Sequence, residues 1–141
     1  MRNIAVEFQP ADDLVVFSVQ GELDLPALIK ATDDHYASHP THRTLFDLRK
    51  ADGSNLSFRD MKHIYSEQRS RHVPDDAPRS ALLVKDVAGL ALAKLYGVMT
   101  ESEGTPMLYE AFLDVHDAEA WLGVAPGTAK VQGGPGQMEL P

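Results

Sequence analysis

The sequence contains no cysteine among its 141 residues, and this absence excludes three kinds of chemistry. Without a thiol, the chain has no disulfide framework, no thiolate metal site and no cysteine nucleophile. A chain of this length still buries roughly two-thirds of its unfolded surface, so it needs no covalent or metal cross-links. Hydrophobic residues make up 43% and charged residues 24% of the chain, which is typical of one globular domain.

Basic residues are also scarce. The chain has 13 Lys and Arg against 21 Asp and Glu, which gives a formal net charge of -8. Such a charge is repelled by phosphate backbones and by anionic lipid, so we expect no nucleic-acid partner.

Long apolar runs are missing as well. Residues 1–8 alternate polar and apolar side chains and lack the apolar centre of a signal peptide. The most apolar stretch, 87–99, contains Lys94 and is too short to span a bilayer. We therefore expect a cytoplasmic protein with no membrane insertion.

Glycine-rich phosphate loops and the nucleophile elbow are not found. Gly89 is isolated, and the glycines of 133–136 are followed by no predicted helix, so the Walker and dinucleotide patterns both fail. No Gly-x-Ser-x-Gly motif occurs. We predict no cofactor and no enzymatic activity.

Hydrophobic periodicity predicts alternating strands and helices in the order β-β-α-β-α-β-α-β-α. The first two strands form an antiparallel hairpin at one edge, and the later strands are parallel with right-handed crossovers. The predicted strands are 4–9, 14–21, 44–49, 80–85 and 107–112, and the predicted helices are 24–38, 57–72, 87–102 and 114–123.

Each predicted strand has one apolar face and one mixed face, which carries Asp47, Arg49 and Leu83 among others. Helices should then cover one side of the sheet and leave the other half open, as happens when successive crossovers step in one direction. Residues 124–141 are rich in Gly and Pro. We interpret them as a tail that adds little to the core of a domain at 1–123.

Several short segments, in this order and at this spacing, resemble the SpoIIAA-like family of small bacterial proteins, which is related to STAS domains. The resemblance covers about residues 4–122. The segments are Gly21-Glu22-Leu23, Leu45-Phe46-Asp47-Leu48-Arg49 with Ala51, Leu56-Ser57, Ala81-Leu82-Leu83-Val84, Gly89-Leu90-Ala91, Lys94-Leu95-Tyr96 and Phe112 to Trp121-Leu122.

The resemblance implies an α/β fold, a (βα) superhelix. It has a five-stranded mixed sheet, an N-terminal antiparallel hairpin, three crossover helices and a short C-terminal helix. It implies no catalytic residues. Relatives of STAS type act as anti-sigma-factor antagonists, switched by phosphorylation of a serine at the start of the second helix. Sec14-type lipid-binding domains share the fold.

Ser57 falls at about the position of that regulatory serine. Asn55 and Leu56 do not match the Asp-Ser pair of the family motif, and Phe58 replaces its glycine. A phosphate on Ser57 would be favoured by the helix N-terminus. The alternative is that Ser57 is only an N-cap.

Two further clusters have both a chemical and a structural interpretation. His35, His39 and His42 have a spacing that suits metal ligands, but Pro40 interrupts the helix before His42, so we predict solvated histidines and no metal site. The Asp47 and Arg49 face, near Lys85 and Glu110, offers acid and base groups, but cross-strand ion pairs explain it with fewer assumptions.

A last cluster, Asp114, His116 and Asp117, suits the capping of the last helix better than acid–base chemistry.

The third predicted helix carries a wider apolar arc than a core requires. We expect Ala88, Ala91 and Leu95 in the core.

On the shoulder of that helix, Leu92, Tyr96 and Met99 are expected to remain accessible. We therefore predict a non-enzymatic STAS-like regulatory module that acts through protein contact and forms a homodimer. Its surface would be that helix shoulder or the mixed face with Leu83, Asp47 and Arg49. The alternatives are a carrier of a small apolar or lipid ligand and, third, an enzyme that uses the Asp47/Arg49 face.

Overall fold

The computed structural model describes residues 3–52, 78–91, 93–94 and 108–131. Helical residues are also found at 87–91 and 93–94. The other elements are strands β1 (Ile4–Gln9), β2 (Leu14–Glu22), β3 (Arg43–Asp52), β4 (Arg79–Leu83) and β5 (Leu108–Phe112), and helices α1 (Leu25–Ser38) and α2 (Val115–Leu122).

The five strands form one sheet in the order β1-β2-β3-β4-β5. The pair β1 and β2 is antiparallel, and each later neighbour pair is parallel. The predicted edge hairpin is confirmed, and so is the prediction that successive crossovers step in one direction. The predicted helix at 57–72 lies outside the described residues.

Local sequence signals set the ends of the elements. The hairpin closes at Asp13, whose φ of 51° is in the left-handed region. Asp24 caps α1 by accepting a hydrogen bond from the backbone N–H of Ala27 at 3.1 Å. Helix α2 ends at Gly123, whose φ of 88° needs a residue without a Cβ.

The first face of the sheet packs against α1. Val15, Phe17 and Phe46 are buried there, and the rings of Phe17 and Phe46 stack at 5.3 Å. Tyr36 of α1 and Thr44 of β3 share a buried hydrogen bond of 2.5 Å between their hydroxyl oxygens. These contacts attach α1 to the centre of the sheet.

The second face is covered, and the prediction that it is half open is wrong. Helix α2 and residue 129 bury it, because α2 follows β5 and crosses this face with its apolar side inward. The buried cluster contains Leu14, Val16, Leu45, Ala81, Leu83, Val115, Ala118, Leu122 and Ala129.

Residues 124–131 form what we call the C-terminal strap. The structure differs here from the expectation that the tail adds little to the core, because Ala129 is 7% exposed and Val131 packs against the same cluster. The strap has few apolar residues, so composition alone suggests a tail. Hydrogen bonds to buried side chains hold it in place, and composition does not reveal these.

Candidate functional site

The carboxyl ends of the parallel strands meet at one edge of the sheet, where open α/β folds bind ligands. We call this the carboxyl edge. The register between β2 and β3 shifts there, since Ser18 pairs with Asp47 but Gln20 pairs with Lys50. Strand β3 therefore has one extra residue, and such bulges redirect side chains beside functional sites.

Asp47 and Arg49 form a tight ion pair at this edge. The Arg49 Nε and Nη2 atoms donate to the two carboxylate oxygens of Asp47 at 2.9 and 3.0 Å, and the backbone N–H of Arg49 donates at 3.2 Å. Asp47 is 5% exposed. The hydrogen bond to Asp47 raises the pKa of Arg49, against the opposing effect of burial, and the charges of Asp47 and Asp114 add to the rise.

This pairing limits what Asp47 can do chemically. Both of its oxygens are engaged by a guanidinium, so the carboxylate is not poised to take a proton from a substrate. A shallow depression lies beside it, lined by Ser18, Val19, Gln20, Asp47 and Lys50. Four of these five residues are polar, and a cavity of about 10 Å³ has room for about one water molecule and not for an acyl chain.

Of the groups expected near Asp47, Glu110 has a partner of its own. Glu110 pairs with Lys94 at 3.4 Å, and Lys85 is exposed. Asp114 caps α2, with its carboxylate oxygen 3.4 Å from the backbone nitrogen of His116. The capping interpretation of Asp114 is confirmed.

The carboxyl edge also carries exposed apolar residues. Val87 is 72% exposed and Leu113 is 47% exposed, and they follow the neighbouring strands β4 and β5. Ala88 and Ala91 are exposed too, so the expectation that they lie in the core is wrong.

The cause of that difference is Gly89. A Cβ at this position would lie 3.2 Å from Cβ of Val84, so the helical turn contacts the strand end through its glycine. Gly89 and Leu90 are half-buried, which turns Ala88 and Ala91 outward. The isolated glycine was therefore the sequence signal for this orientation.

The structure places the predicted interface residues differently. Leu83 is fully buried in the core of the chain, so it is not available as a surface residue, because α2 covers its face. Asp47 is buried with its ion-pair partner Arg49. Four candidates lie outside the described residues: Ser57, Leu92, Tyr96 and Met99.

The three histidines considered as metal ligands do not converge. His35 and His39 stack at 5.9 Å, while His42 Nδ1 lies 2.6 Å from an oxygen of Asp13. His35 also contacts the ring of Phe8 at 5.0 Å. Burial lowers the pKa of His35, and the nearby charge of His39 lowers it further. Within the described ranges, no group of three or more His, Asp or Glu side chains is arranged to hold a metal.

Sequence reasoning missed the buried carboxylate of Glu119, which is 1% exposed. It interacts with the ring of His116 at 2.9 Å and accepts from the backbone N–H groups of Gly127 and Ala129 at 3.0 and 2.7 Å. Burial alone would raise the pKa of Glu119, but these hydrogen bonds outweigh it and hold the pKa below its usual value. The spacing of His116 and Glu119 on one helix was the available signal.

No family model and no curated protein matches the chain. Two of the solved structures that are similar to it show its fold. One is an uncharacterised protein of the DUF3478 family with a SpoIIAA-like fold from Shewanella loihica PV-4, at 20% identity and a TM-score of 0.57, covering 84% of this chain and 91% of that one. The other is an anti-sigma factor antagonist from Mycobacterium paratuberculosis, at 19% identity and a TM-score of 0.59, covering 84% and 92%.

These similarities define the class of the protein at the level of the fold. The chain has the SpoIIAA-like fold, with a mixed five-stranded sheet, as the sequence resemblance implied. Among the residues described, no helix has the length and apolar character needed to cross a membrane.

Proposed function

We propose that the chain is a STAS-like regulatory module that acts by contact with another protein and catalyses no reaction. The observation that carries the proposal is the similarity of nearly the whole domain to an anti-sigma factor antagonist. That protein bears the name of a regulator and supplies the class of function. The identity of this chain's own partner is a separate question for experiment.

The carboxyl edge supports contact with a protein. Val87 and Leu113 expose apolar side chains beside Asp114 and Lys85, which are both exposed. An apolar centre with a charged rim is the usual make-up of a protein interface. We propose that this edge, together with the predicted helix shoulder at Leu92, Tyr96 and Met99, is the contact surface.

The geometry of the Asp47 pair gives no support to the enzyme alternative. An acid–base role would require a carboxylate within reach of a substrate, and both oxygens of Asp47 are bound by Arg49. The lipid-carrier alternative gains no support from the polar depression beside Asp47. Regulation through contact therefore remains the best-supported function.

The test is to isolate the cross-linked chain from its own host, identify a bound polypeptide and rebuild the complex from the two purified proteins. Val87→Glu should weaken the rebuilt complex at least about tenfold, since it places a charge in the apolar centre of the interface. Val6→Glu is the matched control, because Val6 is 48% exposed on β1. Equal affinity for both variants would remove the carboxyl edge as the surface. Failure to recover any stoichiometric polypeptide would contradict the function itself.

A further inference from the structure

The C-terminal strap is attached to the body of the protein at two buried polar side chains. The first is Glu119, whose carboxylate accepts from the backbone N–H groups of Gly127 and Ala129. The second is Gln9 of β1, whose amide nitrogen donates to the carbonyl of Thr128 at 2.8 Å. Its amide oxygen accepts from the backbone N–H of residue 130 at 3.0 Å. The two side chains are far apart in the sequence, and both bind the strap within residues 127–130.

Apolar burial contributes little to this attachment. Ala129 is the one buried side chain of the strap, and Val131 is partly buried. The residues at 125–127 and 130 are exposed. A segment with so little apolar area depends on its hydrogen bonds to remain closed, and segments of this kind open locally at low free energy.

Glu119 is connected to solvent through His116. The His116 side chain is 60% exposed, and its Nδ1 atom lies 2.9 Å from Oε1 of Glu119, the same oxygen that accepts from Gly127. We propose that the strap is a detachable cover of the second sheet face, and that the charge on His116 sets how firmly Glu119 holds it closed. This proposal is independent of the proposed regulatory function.

Charged residues of α2, of the neighbouring strands and of the strap surround the His116–Glu119 pair. Asp114 and Asp117 act on His116 from its own helix and favour its protonated form. The far end of α2 is held by arginines of the neighbouring strands, since Arg43 donates to the carbonyl of Leu122 at 2.7 Å and Arg79 donates to that of Trp121. Lys130 of the strap is exposed, and its backbone is bound to Gln9.

The direction of the pH effect follows from these contacts. The hydrogen bond to Glu119 raises the pKa of His116, against the opposing effect of burial, and the charges of Glu119, Asp114 and Asp117 raise it further. Opening the strap lets water reach Glu119, which weakens its attraction for the charged ring. The closed strap is therefore favoured below the ordinary pKa of histidine, and this contribution is lost as pH rises through the raised value. The contribution of Glu119 is lost only under acid, as pH falls through its lowered pKa.

The test is amide hydrogen exchange of the full chain at about pH 6 and about pH 8, corrected for intrinsic rates. The amides of Gly127 and Ala129 report the strap, and that of Leu45 reports global unfolding. Trp121 is the sole tryptophan and packs against the cluster beneath the strap, so its fluorescence gives a second readout. The variants are Glu119→Gln and His116→Gln, with His39→Gln at the C-cap of α1 as the matched histidine control.

In the parent, protection of the two strap amides should fall about threefold between the lower and the higher pH, a modest effect because the His116 member of the pair is exposed. His116→Gln should abolish this difference and His39→Gln should retain it. Glu119→Gln should lower the protection at least about tenfold at both pH values, because charge-assisted hydrogen bonds are lost. If that variant does not fold, the His116→Gln comparison decides. The proposal would be overturned if the strap amides exchanged as slowly as the amide of Leu45, because they would then open only when the whole chain unfolds. A pH effect that persists in His116→Gln would also overturn it.

Discussion

At the scale of single residues, the Asp47–Arg49 pair is a two-point ion pair within β3. The Asp47 carboxylate is almost completely buried, and its charge is neutralised by a guanidinium two residues along the same strand. Removing one member of such a pair leaves the other charge buried without compensation, which costs more than the pair contributes.

We therefore predict that Arg49→Met destabilises the chain by about 2 kcal/mol in urea unfolding. Lys30→Met is the control, since the Lys30–Asp34 pair has side chains 77% and 67% exposed. Such a surface pair should contribute no more than about 0.5 kcal/mol. Equal urea midpoints for the two variants would show that the buried Asp47 carboxylate does not need Arg49 to be tolerated in the fold.

His35 makes a second prediction at this scale. Its ring lies among the rings of Phe8, Phe17 and Tyr36, and its Nε2 atom is buried with no hydrogen-bond partner among the described residues. Because burial and the charge of His39 lower its pKa, the unfolded chain takes up the proton first as pH falls below the ordinary value for histidine. The folded state then loses stability with acidification.

His35→Phe removes the titrating group and keeps an aromatic ring. We predict that the free energy of unfolding of this variant falls less steeply than that of the parent between about pH 7 and about pH 5. Denaturant titrations at several pH values measure the two slopes. Parallel slopes would mean that His35 titrates in the folded state as it does in the unfolded chain.

At the scale of elements, the sequence was informative where one signal dominated. The alternation in 4–9 and the apolar face of 14–21, joined by a short turn, predicted the edge hairpin, and the caps Asp24 and Gly123 marked helix ends that the structure confirms. The pattern of apolar and mixed strand faces indicated the direction of the crossovers, and the family resemblance agreed with it. These features depend on local patterns, so a single sequence contains them.

Other elements could not be predicted because they depend on contacts between distant residues. The turn at 87–91 is rotated by the close approach of Gly89 to Val84, which periodicity does not show. The closing of the second face depends on α2, and the strap depends on Gln9 and Glu119, at opposite ends of the chain. Apolar composition does not predict that a segment held mainly by hydrogen bonds belongs to the fold.

The strap leads to a prediction about truncation. A chain that ends at Gly123 leaves the buried Glu119 carboxylate without two backbone donors and uncovers part of the second face. We expect a loss of about 2 kcal/mol and a lower melting temperature. A chain that ends at Val131 is the matched control and should remain close to the parent. Equal melting temperatures for the two truncated chains would show that the strap does not stabilise the fold.

At the scale of the whole molecule, self-association remains a prediction from the sequence. The structure removes one of the two predicted dimer surfaces, because the sheet face with Leu83 is occupied by α2 and cannot also receive a second copy. The helix shoulder at Leu92, Tyr96 and Met99 is then the remaining proposed surface. Tyr96→Glu should convert a dimer to a monomer in sedimentation velocity, and Val6→Glu should not. A parent that sediments as a monomer at tens of micromolar would end the dimer hypothesis.

The central claim is that this chain works by binding another protein. Native mass spectrometry of the chain isolated from its own host tests it most directly, because one spectrum separates a bound polypeptide, a bound lipid and a covalent phosphate by mass. The account predicts a stoichiometric complex with a second polypeptide. A spectrum in which the chain carries an apolar small molecule, and no polypeptide is found with it, would contradict the account.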